Sequence, residues 1–271
     1  MAADRASVIL TGVVKRRRHE PTRSGNPNKF TIEQHVHSRA CVKRFANVSN
    51  LVSVWEFTND RCTTVGPGAQ IFCAQRVWDQ RLEHGALTRR IEAAFLAESE
   101  AILKTGRVTN HDAVTAYLSL WQIRSELCEQ PSEDLQLVGI EPSSWLTKEQ
   151  EENVEARHMA FARGDRVPGR FIASLDAMRK HDQHMHALAG RRWGVLHARG
   201  TLRYICPDRP DRELAIPLTR TRALVAGVSD QDVGNDTVAD LNRQSRAHAS
   251  RFIFGYPDDV HAFRLAQQAG T

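Results

Sequence analysis

The chain has 271 residues, of which 41% are apolar and 25% charged, and its formal charge is +5 with a pI near 9.1. That is the composition of a globular protein, long enough to bury one substantial core and too polar for a membrane protein. Runs such as "ALVAGV" at 223–228 fall far short of the roughly 20 apolar residues a membrane span needs, and the N-terminus carries its charges after its apolar stretch, the reverse of an export signal.

In chain order, residues 1–30 read as an arm, with a strand at 7–14 and then a loop rich in Arg, Pro, Gly and Asn. The stretch "IEQHVHSRACVKRFA" (32–46) reads as an extended segment running into a basic helix or strand end. "NLVSVWEF" and "CTTVG" flank the turn residues "TNDR" and predict a hairpin. Residues 66–79 read as a loop with a short strand or helical turn. Ile91, Ala94, Phe95, Glu98 and Ile102 recur at helical spacing and predict a helix over 88–104, capped by Thr88. A second helix over 111–129 starts from Asn110. A third begins at Thr147, where Gln150 completes a capping box, and runs to about Gly164; a fourth covers 168–189. The period then becomes two. "RWGVLHA" and "TLRYIC" flank Arg199-Gly200 and predict a hairpin over 192–206. "ELAIPLT" and "RALVAGV" continue as strands, followed by a helix in "DTVADLNRQSRAHA", a strand in "SRFIFGY" and a closing helix over 258–268. The layout predicts one α+β domain over 1–271. Its mixed or antiparallel sheet comes from N- and C-terminal strands, a helical block (88–189) packs on it, and 192–256 supply the C-terminal strands and helix.

Charge is unevenly placed. Residues 1–50 hold ten Lys/Arg against three Asp/Glu, 191–222 hold eight Arg against three acids, and 125–155 hold nine acids against one Lys. A basic face of this kind meets phosphates, so nucleic acid is the partner it suggests; equally, the acidic segment can neutralise it within the fold. The five cysteines form no C-x-x-C pair, which points to reduced thiols in a cytosol and against a disulfide framework or structural zinc. In "HDQHMH", His181, His184 and His186 lack a convergent third ligand with supporting carboxylates and read as a polar helix face. His35 and His37 would share one face of a strand, again with no third ligand in sight, so no metal residue is assigned. Glu92, Glu98 and Glu100 read mainly as a solvated helix face. Asp208 lies at a strand end on a turn made rigid by Pro207 and Pro210. It suits either a functional carboxylate or a turn aspartate bonded to its own backbone.

Several of these stretches resemble domain of unknown function 4238, a mainly bacterial family with a His-x-x-Pro motif near its N-terminus. The similarity runs over roughly 30–256: "QHVHSRACVKRFA", "VSVWEF", "RRIEAAFLAESEAIL", "LWQIRSE", the stretch leading to "CPDRPD", and "DLNRQSRAHASRFIF" with Asn242. Two departures stand out, Ser38 in place of the motif proline and Pro207 in place of a serine before Asp208. The resemblance implies that His35, Glu92, Arg124, Asp208 and Asn242 converge on one cleft. His35, Asp208 and Glu92 would be its catalytic groups, while Arg124, Asn242, Arg39, Lys43 and Arg44 would hold substrate or phosphate. Two readings follow. One is a nucleic-acid-directed hydrolase, a toxin-like or defence nuclease, for which a divalent ion such as Mg²⁺ or Mn²⁺ would be the cofactor. The other is a non-catalytic binding or regulatory module in which the same residues form a structural polar network.

Overall fold

The computed structural model describes residues 20–139, 145–210 and 215–269, so the strand expected at 7–14 lies outside the described residues. The elements are β1 (Glu33–His35), α1 (Arg39–Lys43), β2 (Val52–Glu56), β3 (Arg61–Val65), a 3₁₀ turn (Gln70–Phe72), β4 (Cys73–Gln75), α2 (Gln80–His84), α3 (Ala86–Thr105), α4 (His111–Glu129), β5 (Leu135–Gln136) and α5 (Lys148–Ala156). There follow β6 (Arg166–Val167), α6 (Gly169–Ala187), β7 (Trp193–Ala198), β8 (Cys206–Pro207), β9 (Ala215–Thr219), β10 (Arg222–Ala226), β11 (Gln231–Val233), α7 (Asn235–His248), β12 (Phe252–Gly255) and α8 (Pro257–Ala269). This is an α+β fold.

The strands form several sheets rather than the one expected. In the first four-stranded sheet, β3-β2-β12-β8, the two ends of the chain meet: β12 pairs antiparallel with β2 on one side and with β8 on the other. The second, β11-β7-β10-β9, is wholly C-terminal and holds a parallel pair, β11 on β7. Two small ladders, β1-β4 and β5-β6, complete the set. Helix α4 packs between α3 and α6, and α8 lies on β2. The main core runs from Val42 and Phe45 through Phe95, Trp121 and Ala173 to Leu224 and Phe254. Two smaller clusters, one around Leu196, Tyr204 and Val238 and one around Trp55, Ile205 and Ile253, lie beside it.

Helix α4 follows its sequence signals closely. The Asn110 side chain accepts from the Ala113 N–H at 3.0 Å, and Val114, Tyr117, Leu118 and Trp121 are buried along it. Helix α5 has the capping box at Thr147 and Gln150. It ends at Ala156 rather than near Gly164, because His158 turns left-handed at φ +60°. Helix α3 starts at Ala86 with Gly85 as its cap, and the Thr88 hydroxyl instead donates to Leu82 O at 2.7 Å, joining α2 to α3. At its other end Arg222 donates to the carbonyls of Ile102 and Leu103 at 3.1 and 2.7 Å, a cation on the negative end of the helix.

The hairpin expected over 192–206 does not form. β7 pairs with β10 and β11, while Cys206–Pro207 joins the other sheet. The cause is Asn235: a Cβ on Gly200 would sit 2.0 Å from its Oδ1, and that oxygen accepts the Leu202 N–H at 2.9 Å. The chain is thereby drawn onto the start of α7 instead of back along β7. Pro207 sits on the edge strand β8, where its missing N–H costs no ladder bond.

Most of the described part of the acidic segment 125–155 is exposed, as its composition suggests, but Glu151, Glu152 and Glu155 are buried. Glu155 Oε2 accepts from Arg76 at 2.9 Å and from Arg170 at 2.8 Å, and Glu151 holds Arg163. Glu152 and Glu149 hold Arg23, and Glu129 holds Arg209. Parts of both basic segments are therefore neutralised inside the fold.

Candidate functional site

Strand β1 brings His35 to the surface of the core and stops there. Gln34, fully buried beside it, fixes the strand: its Oε1 accepts from the N–H groups of Val77 and Trp78, and its Nε2 donates to Trp78 O at 2.8 Å. Nothing in the sequence distinguishes Gln34 from an ordinary polar strand residue; its role exists only once β1 and β4 are paired. The half-buried His35 has Nδ1 3.6 Å from Cys73 Sγ. Burial pulls its imidazole below the ordinary value, with the Pro67 backbone and Glu83 acting against that and Arg39 and Arg124 adding to it.

His37 behaves differently. Beyond the end of β1 it enters the core, its ring 4.2 Å from that of Trp121. The Ser38 N–H donates to the Tyr117 hydroxyl at 3.1 Å, and that hydroxyl lies 3.1 Å from His37 Nδ1. The Tyr117 hydroxyl thus bridges the Ser38 N–H and the His37 ring. Burial brings His37 down to about 3, so it is a neutral core residue. Ser38, standing where the resembled family has proline, supplies that N–H and also caps α1 by accepting from Cys41 N. A proline has no N–H to give.

Arg124, on the same face of α4 as Tyr117 and Trp121, is buried and donates to Glu92 Oε1 at 2.7 Å. Its guanidinium lies 5.7 Å from the Trp78 ring centroid, and Trp78 Nε1 donates to Glu83 at 2.7 Å. Arg124, Glu92, Trp78 and Glu83 therefore belong to one cluster, and the charges of Arg124 and Glu83 reach His35. Among the described residues, His35 Nε2, His37 Nε2, Trp121 Nε1 and Arg124 Nε have no hydrogen-bond partner. Of the cations on α1, Arg44 is paired with Glu100 at 3.1 Å, Lys43 is exposed, and Arg39 lies against the Gly68 backbone.

Asp208 and Asn242 bond elsewhere. Both Asp208 oxygens are taken at the α7–β12 corner: Oδ1 by Ser250 N at 2.9 Å, Oδ2 by Arg251 N at 3.0 Å and Arg251 Nε at 3.3 Å. Burial pushes its pKa up, against Arg251 and the two backbone N–H groups. Asn242 accepts from Ile205 N at 3.1 Å and donates to Arg203 O at 2.8 Å, tying α7 to the segment before β8. Neither side chain bonds to His35. Glu98 is likewise absorbed, accepting from the N–H and hydroxyl of Thr109, so it is no solvated acid.

The chemistry open to the cluster is limited by burial. Cys73, beside His35, is pushed up to about 12, and Cys41 is raised as well. A reactive thiolate needs the opposite shift, and a neutral imidazole beside a thiol is no activated pair. Among the described residues no group of three or more His, Cys, Asp or Glu could hold a metal ion, and no helix is long and apolar enough to cross a membrane. Set against known proteins, the chain matches no family model, no curated protein and no solved structure.

Proposed function

We propose that the protein is a non-catalytic binding module in which the polar residues singled out above form a structural network. The observation that carries this reading is Asp208. Its carboxylate is committed to two backbone N–H groups and a guanidinium of the α7–β12 corner, and none of its hydrogen-bond partners is a base that it could orient. Asn242 and Glu98 are spent in the same way, on backbone and caps.

The rival reading, a nucleic-acid-directed hydrolase, draws on the unpartnered Nε2 of half-buried His35 near Arg124 and Arg39. One experiment separates the two. Labelled RNA and DNA are incubated with the protein, with and without Mg²⁺ or Mn²⁺, beside His35→Ala and Asp208→Asn. The binding-module reading expects no cleavage in any arm, with Asp208→Asn losing thermal stability. Cleavage by the parent protein that His35→Ala abolishes would overturn it.

A further inference from the structure

On the side of the molecule where α6 gives way to β7, three open cavities run together. The first, of about 740 Å³, is lined by His111, Arg191, Arg192 and Asp230 among others. A second, of about 430 Å³, shares His111, Gly190, Arg191 and Arg192 with it and extends to Asp112. A third, of about 460 Å³, shares Asp230 and continues past His197, Arg199 and Arg222 to Lys104. The first two share much of their lining, the third adjoins the first at Asp230, and the three together are the groove.

Its construction is specific. Gly190, at φ +71°, turns the chain after α6, and Trp193 then anchors the start of β7. The Trp193 N–H donates to His111 Nδ1 at 3.1 Å, and its buried indole N–H donates to Thr115 at 2.9 Å. Arg191 and Arg192 are thus fixed at the mouth of the groove by a backbone that cannot drift. Both are exposed, and neither guanidinium has an ion-pair or hydrogen-bond partner among the described residues. Elsewhere the basic segment is occupied: Arg199 pairs with Asp232, Arg209 with Glu129, Arg220 with Asp259, and Arg222 caps α3. The acids of the groove are partly committed too, since Asp230 accepts from Val195 N at 2.8 Å.

We infer that this groove binds the phosphate backbone of a single-stranded nucleic acid, with Arg191 and Arg192 making the principal contacts. The shape decides for an extended ligand, because the free cations among the described residues, Arg191 and Arg192 at one end and Lys104 in the third cavity, are spread along the adjoining cavities instead of converging on one point. Guanidinium forks match phosphate oxygens in pairs. The groove offers no exposed aromatic platform for bases, Trp193 being buried, so recognition is electrostatic and independent of sequence. This inference rests on the binding-module reading and gives that module its ligand.

The test is fluorescence anisotropy of a labelled 12-nucleotide single strand across a salt series, with three proteins: the parent, Arg191→Ala/Arg192→Ala, and Arg89→Ala/Arg90→Ala. The last pair is exposed on α3 and lies outside the groove. Each phosphate contact on a single strand adds about 0.7 to the log–log salt slope, so losing both arginines should lower it by about 1.4 and weaken binding about tenfold. The α3 variant should match the parent. Equal losses in the two variants, or no salt-dependent binding by the parent, would overturn the assignment. So would pyrophosphate competing as strongly per phosphate as unlabelled strand, which would make the site one for a small phosphate compound. Cleavage of the strand that His35→Ala abolishes would instead sink the non-catalytic reading and leave the groove standing.

Discussion

Asp208 holds Arg251 twice, through the backbone N–H at 3.0 Å and the guanidinium Nε at 3.3 Å, both on the same carboxylate oxygen. Its other oxygen takes Ser250 N. A single buried side chain thereby closes the corner between α7 and β12. Asp208→Ala strands two N–H donors and a cation there, and should cost about 2–3 kcal/mol in urea unfolding. Asp208→Asn, which keeps one acceptor, should cost less. A loss under about 0.5 kcal/mol for the alanine variant, the level of an ordinary surface change, would show that the corner does not depend on this carboxylate.

His37 makes stability depend on pH in a defined window. The unfolded chain takes up this proton near 6.5 and the folded one only near about 3. Stability is therefore full above about 6.5 and falls as pH drops through the window, by about 1.4 kcal/mol for each pH unit. His35, His181 and His184 are also lowered by burial and add to the slope, so the difference between the parent and His37→Phe isolates this residue. Parallel stability curves for the two between pH 6.5 and 4.5 would contradict the assignment.

Glu20 acts lower on the scale. Burial pushes it up, but Arg163, Arg170 and Lys148 outweigh that and hold it at about 2 against an ordinary 4.5. Its contribution is present above about 4.5 and is lost as pH falls toward 2. Thermal melts of Glu20→Gln should lie below the parent at pH 5 and converge with it by pH 2. Curves that stay apart at pH 2 would show that the carboxylate charge is not what matters.

Glu155 joins two buried arginines, Arg76 and Arg170, on one oxygen. Glu155→Ala leaves the buried Arg76 without its carboxylate and Arg170 with Glu20 alone, and should cost about 3–5 kcal/mol. Adding Arg76→Met should recover part of that loss, because the unpaired charge goes with it. Strict additivity of the two substitutions in denaturant unfolding would argue against a coupled network.

The helices over 86–105, 111–129 and 169–187 were legible in the sequence because apolar spacing and caps are local signals. So were the hairpin β2–β3 and the strands β9, β10 and β12. What the sequence hid depends on partners far away along the chain. Glu151, Glu152 and Glu155 read as a solvated acidic run, and their burial follows only from Arg23, Arg76, Arg163 and Arg170 arriving from separate segments. Arg199-Gly200 reads as a tight hairpin until Asn235 fills the space beside the glycine. Among the candidate site residues, Glu92 and Arg124 gather in one cluster whose charges reach His35, whereas Asp208 and Asn242 are drawn to backbone groups of their own neighbourhood. His35 and His37, two residues apart, part company because β1 ends between them. The Arg191–Arg192 pair was visible only as part of a basic stretch; what singles it out is that the other described arginines there, Arg199, Arg203, Arg209, Arg220 and Arg222, already have partners.

Strand β12 lies between β2 and β8 in its sheet, so the middle position is filled by residues far along the chain from β2 and β3. Until Phe252–Gly255 emerge, β2 has only β3 beside it, and its second edge, carrying Val54 and Trp55, stands open. Such an edge is a template for pairing with another chain, and long-range closure of this kind is slow. A nascent chain is thus exposed to such pairing until residues 252–255 arrive, and a chain that stops short of residue 252 is left in that condition permanently.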